Sequence, residues 1–107
     1  MLPLAVKAGL NSNHLAKMFM SGSSRSFASE HFLPKIMEGE FEGDYSMGDA
    51  YKDIENVKRA IQNFSPELPL FDGMVKVYKE SLDQGYEQHS KSAMLKVYEK
   101  KLGIKLK

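Results

Sequence analysis

A chain of 107 residues with 42% apolar and 27% charged residues has the size and composition of one small globular domain, which excludes disorder along most of its length. A formal net charge of +1 gives no global electrostatic reason to bind nucleic acid or an anionic membrane. The absence of cysteine excludes disulfides and cysteine-based metal or nucleophilic sites and fits a reducing, cytoplasmic setting.

Taken in chain order, residues 2–8 carry Leu2, Ala5, Val6 and Ala8 ahead of Gly9. They read as the last two turns of a truncated helix with a glycine cap. The same start, MLPLAVKAG, is interrupted by Gly9 too early for a signal peptide, and no later apolar run approaches the ~20 residues of a membrane span. Asn11 or Ser12 can cap a second helix in which Leu15, Met18 and Phe19 recur at i, i+3 and i+4 before Ser21-Gly22. SGSSRS (residues 21–26) is a polar turn, and Ser24 or Ser26 can cap a brief helix holding Phe27, Phe32 and Leu33. Pro34 then permits only a helix start or a break.

Gly39, Gly43 and Gly48 mark EGEFEGDYSMGD as the longest irregular connection. After it, Ala50, Ile54, Val57, Ile61 and Phe64 repeat at alternating spacings of 4 and 3, one apolar stripe of a helix with Asp49 at its start and Lys58-Arg59 toward its end. SPELP (residues 65–69) ends it. A further helix spans about Phe71 to Leu82, with Phe71, Met74, Val75, Tyr78 and Leu82 on one face and Gly85 beyond. Ser90 can cap a last helix bearing Ala93, Met94, Val97, Tyr98 and Leu102 before Gly103. No segment alternates with the two-residue period of a strand, so the expected fold is all-α, a compact bundle of five to six helices in a single domain.

Two charge runs stand out: six acids from Glu40 to Glu55 against Lys52, and six lysines from Lys91 to Lys107 against Glu99. Such runs usually make a solvated face or a frayed tail, and neither supports a binding site by itself. His14, His31 and His89 lack the clustered spacing of a zinc site and read as surface residues. SGSSRS lacks the spacing of either glycine-rich phosphate loop; it is an ordinary capping turn or, with Arg25, a small-anion contact. A serine nucleophile would need a GxSxG elbow, which is absent. Phe27 and Phe32 fit core packing, whereas Tyr45, between Asp44 and Ser46, is less easily placed in a core. Lys52-Asp53 is the least explained feature. Apolar periodicity accounts for the helix but not for an adjacent lysine and carboxylate, and Asp53 borders the stripe next to Ile54 and Val57, where partial desolvation could set it at a cleft edge.

The order AVKAGL, SGSSRSFASE, GEFEGDYSMGDAYKDIENVKRAI and ELPLFDGMVKVYKESLDQGYEQHSKSAM resembles, over nearly the whole chain, the C-terminal helical domain of the β-hydroxyacid dehydrogenases. That group includes 3-hydroxyisobutyrate dehydrogenase and tartronate semialdehyde reductase and is related to 6-phosphogluconate dehydrogenase. The KD pair after an acidic, glycine-containing loop is the most specific element, supported by LPL and by the late glycine before Ser92-Ala93. The resemblance implies NAD(P)-dependent oxidation of a short 3-hydroxyacid, with a Rossmann domain of the parent chain as partner and a homodimer as the assembly. It implies Lys52 as a contact to NAD or NADP, and Asp53, Tyr45, Phe27 and Phe32 on the substrate side. Neither GxGxxG nor the GxxGxGxxxKxxxN motif that carries the family's catalytic lysine occurs here. No catalytic residue is therefore assigned, and the chain is expected to be inactive alone. The alternative reading is a stand-alone helical module that binds a protein partner through an apolar surface.

Overall fold

The computed structural model describes residues 1–64 and 67–106, which form α1 (Leu2–Lys7), α2 (Ser12–Ser21), α3 (Phe27–Glu38), α4 (Met47–Ile61), α5 (Pro69–Asp83), a 3-10 turn (Lys91–Ala93) and α6 (Met94–Leu102). The fold is all-α, as the periodicity predicts. Among the described residues there is no strand, only an isolated antiparallel bridge between Ser46 and Ser90.

Local chemistry sets the helix starts, because the first N–H groups of a helix have no partner within it. Asn11 accepts from the His14 N–H at 3.1 Å to open α2. Ser26 and Ser29 exchange side-chain and backbone bonds in a capping box at the start of α3. Ser46 accepts from the Asp49 N–H at 3.1 Å to open α4, so Asp49 is a first-turn residue rather than the cap, and the helix takes in Met47 and Gly48, which the glycine pattern assigns to the loop. The Ser65-Pro66 part of the expected stop lies outside the described residues; Pro69 then occupies the first turn of α5, where its missing N–H costs nothing.

The largest departure from the sequence reading is α3. It runs through Pro34 to Glu38 and stops at Gly39, whose φ of 77° is the left-handed cap conformation. Pro34 has no N–H to give the Glu30 carbonyl, so the helix tolerates one missing bond in exchange for carrying Met37 into the core, where it is 9% exposed.

The chain divides into two compact units, Met1–Phe41 with Tyr98–Lys107, and Glu42–Val97. In the first, α2 packs against α1 and α3, burying Leu2, Leu15, Ala16, Met37, Phe41 and Leu106. The lysine-rich end is not a frayed tail there. Ser12 donates to the Leu106 carbonyl at 3.3 Å, and the Leu106 N–H donates to Glu99 at 2.8 Å. In the second unit, α4 packs against α5 and the 3-10 turn around Met47, Ala50, Val75, Ala93 and Val97. Ser81 is fully buried in this core and returns its hydroxyl to the Val77 carbonyl at 2.8 Å, which satisfies it.

Candidate functional site

The start of α4 is bolted to the turn that precedes the 3-10 segment. Met47 N–H donates to the His89 carbonyl at 2.8 Å, Gly48 N–H to the Glu87 carbonyl at 2.9 Å, and Lys91 N–H to the Tyr45 carbonyl at 3.1 Å. The contact is so close that a Cβ at Gly48 would lie 2.9 Å from Glu87 Cγ and 3.3 Å from its carbonyl oxygen. A larger residue here must displace Glu87, and the sequence pattern, which treats Gly48 as a loop marker, gives no sign of this close approach. With Asp49 N–H bonded to Ser46, the first three N–H groups of α4 are all engaged, and the helix end offers no backbone donors to an anion.

On this fixed base stand three of the residues singled out from sequence. Tyr45 donates its phenolic proton to Asp53 Oδ2. Accepting that hydrogen bond, Asp53 holds the Tyr45 pKa up to about 12, with desolvation and the Asp53 and Asp49 charges acting in the same direction. Asp53 itself is exposed; the bordering position does not desolvate it, and the phenol is what marks it out. Lys52 lies 4.0 Å from Asp49 Oδ1, its side chain 78% exposed. An exposed pair at that distance holds the ammonium weakly, leaving it able to meet an incoming group. Lys91, absent from the sequence-level candidates, places its Nζ 5.7 Å from the centre of the Tyr45 ring.

Phe27 and Phe32 belong to the other unit. They are not the core pair that their apolar character suggests: Phe27 is 79% exposed and stacks on His31 at 5.4 Å, which meets Phe32 edge-on at 4.8 Å. His31 and His89 are half-buried rather than surface residues. His89 pairs with Glu42 at 3.3 Å and packs edge-on against Tyr86. Among the described residues no three histidine, aspartate or glutamate side chains group as a metal site requires, and no helix is long and apolar enough to cross a membrane.

The SGSSRS turn resolves into capping. Ser24 donates to the Phe19 carbonyl, Ser21 to the Lys17 carbonyl, Arg25 N–H to the Gly22 carbonyl, and the Arg25 side chain pairs with Glu30 at 2.6 Å. The hydroxyls of Ser21 and Ser24 and the Nε of Arg25 are thus engaged within the turn and its flanking helices. A groove of about 460 Å³ in the same unit is lined by Ala16, Lys17, Met20, Pro34, Met37, Glu38 and Asn13, and none of the sequence-predicted site residues reaches it.

The geometry can therefore be stated chemically: an exposed ammonium, a phenol locked onto a carboxylate, and a second ammonium over the phenol ring, all in one unit. No curated protein matches the chain. Residues 1–98 match the family described as the NAD-binding domain of NADP-dependent 3-hydroxyisobutyrate dehydrogenase. The match takes in α1 to α5, the 3-10 turn and the start of α6, and with them every residue of the cluster. The chain belongs to this NAD-binding family of 3-hydroxyisobutyrate dehydrogenase-like enzymes.

Proposed function

We propose that the chain is the C-terminal substrate-pocket and oligomerisation domain of an NAD(P)-dependent dehydrogenase acting on a short 3-hydroxyacid, and that it is inactive without the dinucleotide-binding domain of the parent enzyme. The observation that carries this reading is the cluster at the start of α4: a Lys52-Asp53 pair, inside the stretch that matches the family, whose carboxylate accepts a hydrogen bond from Tyr45.

The residues fit a dinucleotide as one contact and not as a platform. Lys52 presents an exposed ammonium suited to an anionic or carbonyl oxygen of the ligand, whereas the N–H groups at the start of α4, which could have cradled a phosphate, are taken. When bound, the nicotinamide supplies the hydride acceptor. Asp53, held by Tyr45, is suited to accept a hydrogen bond from a substrate hydroxyl, and its charge disfavours the substrate's carboxylate at the same spot. Lys52 orients rather than moves a proton. Phe27 and Phe32 are assigned to the substrate side on the family resemblance. Oligomerisation is supported by the exposed apolar side chains of the first unit, Met1, Leu4, Leu10 and Met18, each more than half exposed.

The test is an assay of the purified chain with 3-hydroxyisobutyrate, glycerate or L-serine and either NAD or NADP, beside the complete enzyme. The reading expects reduced cofactor from the complete enzyme only. Turnover by the isolated chain would overturn it.

A further inference from the structure

We propose that the groove between α2 and α3 binds a small zwitterion with an apolar body, an α-amino acid of the leucine type; this does not depend on the dehydrogenase reading. Ala16, Met20, Pro34 and Met37 give the groove of about 460 Å³ an apolar lining, and Lys17 of α2 and Glu38 of α3 bring one charge of each sign to it. Among the described residues, neither the Lys17 ammonium nor the Glu38 carboxylate has a hydrogen-bond or ion-pair partner, and the two are not paired with each other. Both charges are therefore open to a ligand. Glu38 is the last residue of α3, the end at which the helix dipole disfavours a carboxylate and favours a cation. An ammonium beside Glu38 is stabilised by the side chain and by the dipole together, which leaves the ligand's carboxylate to Lys17. The floor is in place before a ligand arrives, because Ala16 is 3% and Met37 9% exposed, packed from behind within the unit. Size decides between kinds of occupant. The volume falls within the ~300–1,000 Å³ of small-molecule pockets, whereas the few residues that line it fall well short of the roughly 20–30 a side of a stable protein interface.

The experiment is an amide chemical-shift titration of the purified chain with L-leucine, L-leucinamide, 4-methylpentanoate and glycine. Leucine should give saturable shifts at Ala16, Lys17, Met20, Met37 and Glu38. Leucinamide lacks the carboxylate, 4-methylpentanoate the ammonium and glycine the apolar body, and each should bind about fivefold more weakly or worse. Lys17→Gln should erase the advantage of leucine over leucinamide, and Glu38→Gln its advantage over 4-methylpentanoate, while the control Lys58→Gln keeps both. Lys17 and Glu38 are exposed, so the variants should fold, and dispersion of the same spectra reports it. No saturable shifts with leucine, equal affinity for its analogues, or advantages that survive the two substitutions would overturn the assignment. So would shifts at these amides that follow protein concentration instead of leucine, which place a second copy of the chain in the groove. The titration contains no dinucleotide and no hydroxyacid, so failure of the dehydrogenase reading leaves its outcome unchanged.

Discussion

Tyr45 is the residue on which the cluster turns, and its titration exposes the arrangement directly. Because the phenol keeps its proton to donate a hydrogen bond to Asp53, its pKa is held up to about 12 in the folded chain, against about 10 for an ordinary tyrosine. The bond to Asp53 therefore contributes fully below about 10, where the phenol is protonated in folded and unfolded chains alike. It fades as pH rises toward 12, because the unfolded chain loses the proton first. Tyrosinate absorbance should show Tyr45 titrating late, and Asp53→Asn should return it toward about 10. A Tyr45 that titrates normally in the native protein would remove the hydrogen bond from the account. Gly48 is the second decisive residue. Gly48→Ala places a Cβ 2.9 Å from Glu87 Cγ and 3.3 Å from the Glu87 carbonyl oxygen. The side chain can swing away, but the carbonyl is held by the Gly48 N–H itself at 2.9 Å. The variant should lose about 1–3 kcal/mol in a urea titration.

The helices show what periodicity and caps can convey. The positions of α2 and α5 and the course of α4 follow from their apolar spacing and from Asn11 and Gly85, because those signals act locally. What local signals cannot convey is which part of a stripe has anything to pack against. Ala50 is buried at the start of α4, yet Val57 on the same stripe is 48% exposed and Phe64 87% exposed; the partners of the stripe run out before the stripe does. Met18 on α2 is likewise 65% exposed, while Ala16, outside the expected spacing, is buried. Pro34 misleads for the opposite reason, since tertiary packing of Met37 outweighs the local penalty. Restoring the missing bond with Pro34→Ala should stabilise the chain by about 2 kcal/mol, the helix gain less the entropy that proline removes from the unfolded state. A thermal melt that shifts downward would contradict this. Within the candidate site, the KD pair was legible as a motif. Its supports were not: Gly48 on Glu87, Lys91 over Tyr45 and the clasp between Met47 and His89 are pairings about forty residues apart, which no local pattern encodes.

At the scale of the molecule, the second unit is organised around the start of α4. Met47 and Val97 are its fully buried side chains of largest size, and three backbone hydrogen bonds fasten the residues carrying Tyr45, Met47 and Gly48 to the 87–91 segment. That investment in rigidity sits under residues that are themselves exposed, Tyr45, Lys52 and Asp53. The backbone bonds satisfy N–H groups at the start of α4 that have no partner within the helix, and under the proposed function they also preorganise the exposed cluster for a ligand. In the proposed function this cluster meets the dinucleotide through Lys52, and steady-state kinetics of Lys52→Ala in the complete enzyme measures that contact. Loss of one charge-assisted contact, worth about 1.5–3 kcal/mol, should raise the KM for the dinucleotide about tenfold or more. An unchanged KM with unchanged turnover would contradict the account.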